Sequence, residues 1–273
     1  MIGIAHPGQM GAAVGKVLVS AGQRVAWASA GRSAATVRRA ADAGLTDLGT
    51  PERLAAECEV VLSICPPHAA VDTAVSFSRY DGIYADLNAV SPATAGLVGA
   101  QARRFADGGI IGPPPREHGT TRLYLSGDEA EAVAGLFAGT ALDARVIGTR
   151  PGDASALKMV YAAWTKGSTA MLLAVRAAAR ALGVERDLLG EWELSQPHLP
   201  AQSERSARVG LERGWRWAFE LAETGRTFAV AGQPDGFGAA AAEVFARLSG
   251  DGDLETALAQ LITAAPADPQ ESA

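Results

Sequence analysis

Short apolar runs alternate with amphipathic segments through the first 150 residues, and few architectures accept that pattern. The apolar runs fall at 1–5, 24–28, 60–65, 82–87, 108–111, 123–125 and 145–147. Helix-like segments lie between them at 10–20, 34–43, 51–57, 69–77, 92–105 and 128–138. A strand, a helix of that length and a further strand make a βαβ unit, and its repetition gives a parallel sheet with right-handed crossovers. The expected fold class is therefore α/β, with a doubly wound parallel sheet at the N-terminus.

The pattern changes after Gly148-Thr149-Arg150-Pro151-Gly152. Asp153 or Ser155 can cap a helix that runs to Leu182, with Gly183 as its stop. At 1.5 Å per residue that helix is about 43 Å long. More helical periodicity follows at 185–194, 199–211, 215–231 and 236–248. The expected organisation is an α/β domain over 1–150, an all-α domain over 151–263, and a flexible tail at 264–273, which is rich in proline, alanine and acid. The long helix is apolar on too many faces to stand in water, so a second copy of the chain is expected to cover it.

Composition narrows the function. Of 273 residues, 48% are hydrophobic, enough for a sizeable core. The net charge of −6 disfavours nucleic acid, whose phosphates require a basic face. Cys58 and Cys65 are too few for a disulfide framework. The chain enters a strand at Met1 without a leader-like segment, and no apolar run suggests a membrane span. A soluble cytoplasmic protein is expected. No His/Cys/Asp/Glu cluster has metal-ligand spacing. Arginine replaces lysine almost everywhere, leaving only Lys16, Lys158 and Lys166, and Asn88 is the single asparagine.

The first βα turn reads His6-Pro7-Gly8-Gln9-Met10-Gly11. With 31 glycines in the chain, a Gly-x-x-Gly pair is weak by itself. Its place between the first strand and the first helix makes it a dinucleotide fingerprint of the Rossmann type, with His6 at the first glycine position. Gly8 would admit a pyrophosphate to the backbone, and Gly11 would let helix and strand approach closely. His6 could serve only as a substitute turn residue.

The second strand decides between the two dinucleotides. No acidic residue stands at its end, where an NAD site places one on the ribose 2′-hydroxyl. The segment runs instead through Ser29, Arg32 and Ser33. Arg32 can fork onto a 2′-phosphate and the serines can donate to it, so NADP(H) is the expected cofactor. The alternative for Arg32 is a solvated loop charge.

Several segments, taken in order, resemble the β-hydroxyacid dehydrogenases, relatives of 6-phosphogluconate dehydrogenase and of imine reductases. Ile2-Gly3-Ile4 with Gly8-Gln9-Met10-Gly11 resembles that superfamily's N-terminal signature. The segment from Val60 to Cys65-Pro66-Pro67 resembles its cofactor-passing fourth strand. Asp86-Leu87-Asn88-Ala89-Val90-Ser91-Pro92 resembles its Asp-x-Ser-Thr-x-x-Pro segment, and Gly152 to Lys158 its glycine-to-lysine stretch. The resemblance spans residues 1–248. It implies an NADP-dependent oxidoreductase with Lys158 as general acid/base, Cys65, Pro66, Pro67 and Asn88 beside the cofactor, and a homodimer sharing helical domains. Arginine, always protonated, could not replace that lysine.

The departures concern the substrate. Where the superfamily has asparagine three residues after its lysine, this chain has Tyr161, which shares a helix face with Lys158 and Thr165. Tyr161 could hold the substrate oxygen or relay a proton, or could be a packed aromatic. The superfamily's Ser-Gly-Gly carboxylate grip corresponds to Gly112-Pro113-Pro114-Pro115-Arg116-Glu117-His118. Proline has no N–H to donate, so Arg116 or His118 would have to replace it. The superfamily's later Lys-Asp pair falls near Phe219-Glu220, where Arg216 is the nearest basic residue. The aromatics at 215–219 could equally be core or dimer interface, and Trp164 and Lys166 have no assigned role. The small-molecule substrate is thus expected to carry a carbonyl or hydroxyl carbon. An imine reductase and a non-catalytic NADPH-binding sensor are the alternatives.

Overall fold

The computed structural model describes residues 1–263, and the predicted tail at 264–273 lies outside them. Two compact units divide the chain, Met1–Val160 and the part from Tyr161 onward.

The first unit is one eight-stranded sheet in the order β3-β2-β1-β4-β5-β6-β7-β8. Its strands are β1 (Ile2–Ile4), β2 (Val25–Trp27), β3 (Thr46–Asp47), β4 (Val60–Ser63), β5 (Ile83–Asp86), β6 (Arg104–Ile111), β7 (Thr121–Ser126) and β8 (Leu142–Gly148). All pairings are parallel except β6 with β7. The helices are α1 (Gln9–Ser20), α2 (Ala34–Asp42), α3 (Pro51–Glu57), α4 (Ala70–Val75), α5 (Pro92–Gly99) and α6 (Ala130–Gly135). The parallel strands are apolar on both sides because both faces are covered. Val14 and Leu18 of α1, Ala40 of α2 and Val133 of α6 cover one face. Leu54 of α3, Ala74 of α4 and Val98 of α5 cover the other. Ser33, Thr50 and Ser91 start α2, α3 and α5 by accepting an N–H three residues on. The order reverses between β1 and β4, and open α/β sheets bind ligands at such a switch point.

Helix α7 (Asp153–Ala181) gives its first two turns to the first unit. The second unit holds the rest of it with α8 (Glu185–Ser195), α9 (Leu199–Val230), α10 (Gly236–Ala246) and α11 (Leu254–Thr263). Leu173, Leu211, Leu221, Phe245 and Leu258 form its core. Arg176 and Arg180 both bind Glu185, and Arg180 also binds Glu255. Among the described residues no helix is long and apolar enough to cross a membrane.

Four elements differ from the sequence expectation. The helix expected over 92–105 ends at Gly99, and Arg104 and Phe105 already belong to β6; a Cβ on Gly99 would lie 2.9 Å from the Phe105 ring. The helices expected at 199–211 and 215–231 are the single helix α9. Gly214 does not break it but admits the Phe245 carbonyl, 2.8 Å from where a Cβ would sit. Strand β3 and helix α11 were not foreseen.

Candidate functional site

The turn after β1 fits a dinucleotide by what it excludes and what it leaves open. A Cβ on Gly11 would lie 2.1 Å from the His6 carbonyl oxygen, so only glycine lets α1 begin that close to the strand. A Cβ on Gly8 would meet nothing within 4 Å, which leaves space beside the bare backbone. No acid lies in the first turn of α1, so its N–H groups face an anion unopposed. Pro7 is buried, Gly8 and Met10 are partly buried, and Gln9 is exposed.

His6 does more than replace a turn glycine. Its Nε2 accepts from the Arg32 guanidinium, which also donates to the Ala5 carbonyl at 3.3 Å. Burial and the Arg32 charge pull the His6 pKa down to about 4, so the ring is neutral at pH 7. Because Nε2 accepts, the ring proton sits on Nδ1. Arg32 is thus folded onto the turn and is not a loosely solvated charge. Arg39 joins it, with Nε donating to the Pro7 carbonyl at 3.5 Å. Arg39 was not singled out from sequence; its position on the helix after Arg32 is the signal that could have found it. Ser33 caps α2 with its side chain. The Ser29 N–H donates to Asp47 Oδ1 at 3.2 Å, so a carboxylate from β3 lies beside this group of residues.

At the ends of β4 and β5 the asparagine is spent internally. Asn88 is 2% exposed. Its Oδ1 accepts from the Cys65 N–H at 2.5 Å, and its Nδ2 donates to Ser63 Oγ at 3.1 Å and to Asp86 Oδ1. The amide therefore fixes the backbone at Cys65-Pro66-Pro67, where Pro66 is exposed and Pro67 partly buried. Burial pushes the Cys65 thiol up to about 11. Burial and the adjacent Asp107 charge hold Asp86 well above the usual carboxylate range.

Lys158 lies partly buried in the second turn of α7, over β6. A Cβ on Gly109 would come within 2.7 Å of the Lys158 Cβ, so glycine in the strand seats the helix there. Tyr161, 45% exposed, begins the second unit. There Thr165 Oγ1 donates to the Tyr161 carbonyl at 3.0 Å, and the Arg216 guanidinium lies 5.9 Å from the Trp215 ring. Arg116 and His118 are exposed in a loop whose shape is held by Thr121 Oγ1 donating to the Pro113 carbonyl at 2.6 Å. The lysine missing near Glu220 is supplied from α7: Lys166 pairs with Glu220, and its Nζ lies 5.4 Å from the Trp217 ring. Among the described residues no group of three or more His, Cys, Asp or Glu could hold a metal.

Residues 1–92 match the family described as the NAD binding domain of 6-phosphogluconate dehydrogenase, and residues 179–248 match a domain of unknown function, DUF1932. An uncharacterized 28.5 kDa protein of Methanothermus fervidus is 33% identical over 162 residues, 58% of this chain; the match spans 63% of that protein's length. A solved conserved protein of unknown function, described as structurally similar to 3-hydroxyacid dehydrogenases, is 28% identical with a TM-score of 0.69, covering 95% of this chain and 98% of that one. The fold is also that of Mycobacterium tuberculosis 3-hydroxyisobutyrate dehydrogenase (18% identity, TM-score 0.68, 95% and 98% covered). It is shared too by the Aspergillus terreus reductive aminase solved with NADPH and ethyl levulinate (18% identity, TM-score 0.54, 90% and 92% covered).

Proposed function

Since the chain belongs to the β-hydroxyacid dehydrogenase and 6-phosphogluconate dehydrogenase-like superfamily, we propose that it is an NADP-dependent oxidoreductase acting on a carbonyl or hydroxyl carbon of a small substrate. The observation that carries this reading is the β1–α1 turn, closed to any side chain at Gly11 and open at Gly8, with two guanidinium groups against it. In this reading residues 1–150 bind the cofactor and 151–263 carry the substrate and dimer contacts.

The bound cofactor supplies or accepts the hydride. The Gly8 backbone and the first N–H groups of α1 bind its pyrophosphate, and Gln9 and Met10 border it. Arg32, aided by Arg39, Ser29 and Ser33, takes the 2′-phosphate, and His6 orients Arg32. Cys65, Pro66 and Pro67 form the segment beside the nicotinamide, and Asn88 braces it. Lys158 gives a proton to the substrate oxygen on reduction and removes it on oxidation. On the sequence reading Tyr161, with Thr165 and Arg216, and Arg116 and His118 are the candidates for substrate contacts. Two free cysteines, Cys58 and Cys65, agree with a reducing cytoplasm. Exposed Trp164, Met171 and Leu194 support a homodimer formed through the helical half; sedimentation as a stable monomer would refute that.

A second reading, NADPH-dependent reduction of C=N, draws on Pro113-Pro114-Pro115, which offer no N–H to a substrate carboxylate. A panel of ketones, aldehydes, β-hydroxy acids and cyclic imines with NADPH separates the two. Carbonyl turnover that falls about 100-fold or more in Lys158→Met supports the first reading. Tight NADPH binding without turnover of any compound would make the chain a cofactor-binding sensor. Arg32→Ala should raise the KM for NADPH about tenfold more than that for NADH; equal rises would sink the NADP assignment.

A further inference from the structure

One buried polar row crosses four strands of the sheet. Ser63 of β4 is in register with Asp86 of β5, Asp86 with Asp107 of β6, and Asp107 with Ser126 of β7. All four are fully buried. Nothing in the cofactor turn requires carboxyl groups there, and burying two on adjacent strands, with backbones about 4.8 Å apart, is unfavourable unless each is provided for.

Asp107 is provided for by β7, the start of α7 and the Gly152 N–H just before it. Its Oδ2 accepts from the Gly152 N–H at 3.0 Å, the Ser155 N–H at 3.0 Å and Ser126 Oγ at 2.9 Å. Its Oδ1 accepts from Ser155 Oγ at 2.5 Å. The Ala154 N–H donates to Ser126 Oγ at 3.0 Å. The Gly152 N–H, just before the 29-residue helix, and the Ser155 N–H of its first turn thus end on a strand carboxylate, the sign of charge that a helix N-terminus favours. Gly109, two residues on and therefore on the same face of β6, is where the Lys158 stem rests. The carboxylate fixes the helix at its origin and the glycine fixes its distance from the sheet.

We propose that Asp107 is a positioning residue for Lys158, holding the start of α7 against β6 so that the amine is presented at one height and one rotation. Burial and the Asp107 charge hold Asp86 toward its protonated form. It accepts from the Asn88 amide, and its Oδ2 has no partner. The titratable groups around it are Asp107, Tyr84 and Cys65, none of them a cation. The donors of the row are thus gathered on Asp107, at the helix origin. Through Asn88 the same row also grips the Cys65 backbone, so the loop beside the cofactor and the lysine helix are registered to one set of strands.

The proposal rests on Lys158 as the acid/base, and a double-mutant cycle separates the two claims. NADPH turnover is measured with the fastest carbonyl of the panel above. Asp107→Asn should lower kcat about 10- to 100-fold, leave the KM for NADPH within about threefold, and cost less than about twofold in a Lys158→Met background. Equal losses in both backgrounds overturn the positioning role and leave Lys158 standing. An undiminished kcat in Lys158→Met removes the acid/base reading instead. If Asp107→Asn does not fold, Ser155→Ala deletes one hydroxyl while keeping both backbone donors, and a smaller, about three- to tenfold, non-additive loss is expected. Competitive acetylation with acetic anhydride, read separately at Lys16, Lys158 and Lys166, needs no substrate. Asp107→Asn should change labelling at Lys158 about threefold or more with exposed Lys16 unchanged. An unchanged rate at Lys158 refutes the proposal.

Discussion

Each half of the molecule buries carboxyl groups, and one from each, Asp107 and Glu220, are held by opposite means. Asp107 of the α/β half meets neutral donors, two of them backbone N–H groups fixed by the start of a helix. Glu220 of the helical half, 8% exposed, meets the ammonium of Lys166 beside the Trp217 ring. In the first arrangement one charge is taken from water and the helix terminus supplies its complement. In the second, two charges are desolvated and attract each other, which roughly cancels. The first is therefore expected to be irreplaceable and the second exchangeable.

The largest effect should come from Asp107→Leu. The N–H groups of Gly152 and Ser155 would keep their places and lose their acceptor, at about 1–3 kcal/mol each. With the hydroxyls of Ser126 and Ser155 also deprived, a loss of about 5 kcal/mol in urea unfolding is expected. A loss below about 1 kcal/mol would show that the helix start does not depend on it. The helical pair should behave differently. Lys166→Met or Glu220→Leu alone leaves a buried charge and should cost about 3–4 kcal/mol, whereas the double variant should recover most of that. Additive losses would erase the distinction between the two halves.

The same contrast explains what the sequence could disclose. The sheet was legible because buried parallel strands read as apolar runs between amphipathic helices. Strand β3 was not, since its two residues are exposed and carry no such pattern. The interruption at Gly214 looked like a helix end, because only the tertiary structure reveals that α10 packs against it. The close β1–α1 turn was legible because its glycines stand near one another in the chain at a fixed spacing, and Gly11 proves closed to any side chain. The Asp86–Asp107 row was not, because register across strands leaves no local mark in the chain. Lys166 and Glu220, 54 positions apart, meet only through helix packing. Asn88 was found for its rarity, but its bonds run to Ser63, Cys65 and Asp86, a bracing role that spacing alone could not distinguish from a turn.

Asp86 is a further buried carboxyl, held by neither means, and it gives the mildest and most specific test. It has no helix terminus; beside it are the Asn88 amide, the Ser63 hydroxyl and a carboxylate in the next strand, and its Oδ2 has no hydrogen-bond partner. Burial and the Asp107 charge raise its folded-state pKa far above the unfolded value of about 3.9. The sign follows from proton binding. Above that unfolded value the unfolded chain releases the proton and the folded chain keeps it, so folding is progressively opposed as pH rises, until the folded group itself ionises. The slope is at most about 1.4 kcal/mol per pH unit. Tyr84 and Cys65, the other titratable neighbours besides Asp107, are themselves shifted upward by burial and do not offset it. Asp86→Asn keeps a carbonyl oxygen for the Asn88 amide and loses the titration. Its stability in urea should therefore fall less than that of the wild type as pH is raised above the unfolded value of about 3.9. A parallel fall in both proteins would mean that Asp86 is ionised in the fold, and that the row carries two charges with only Asp107 provided for.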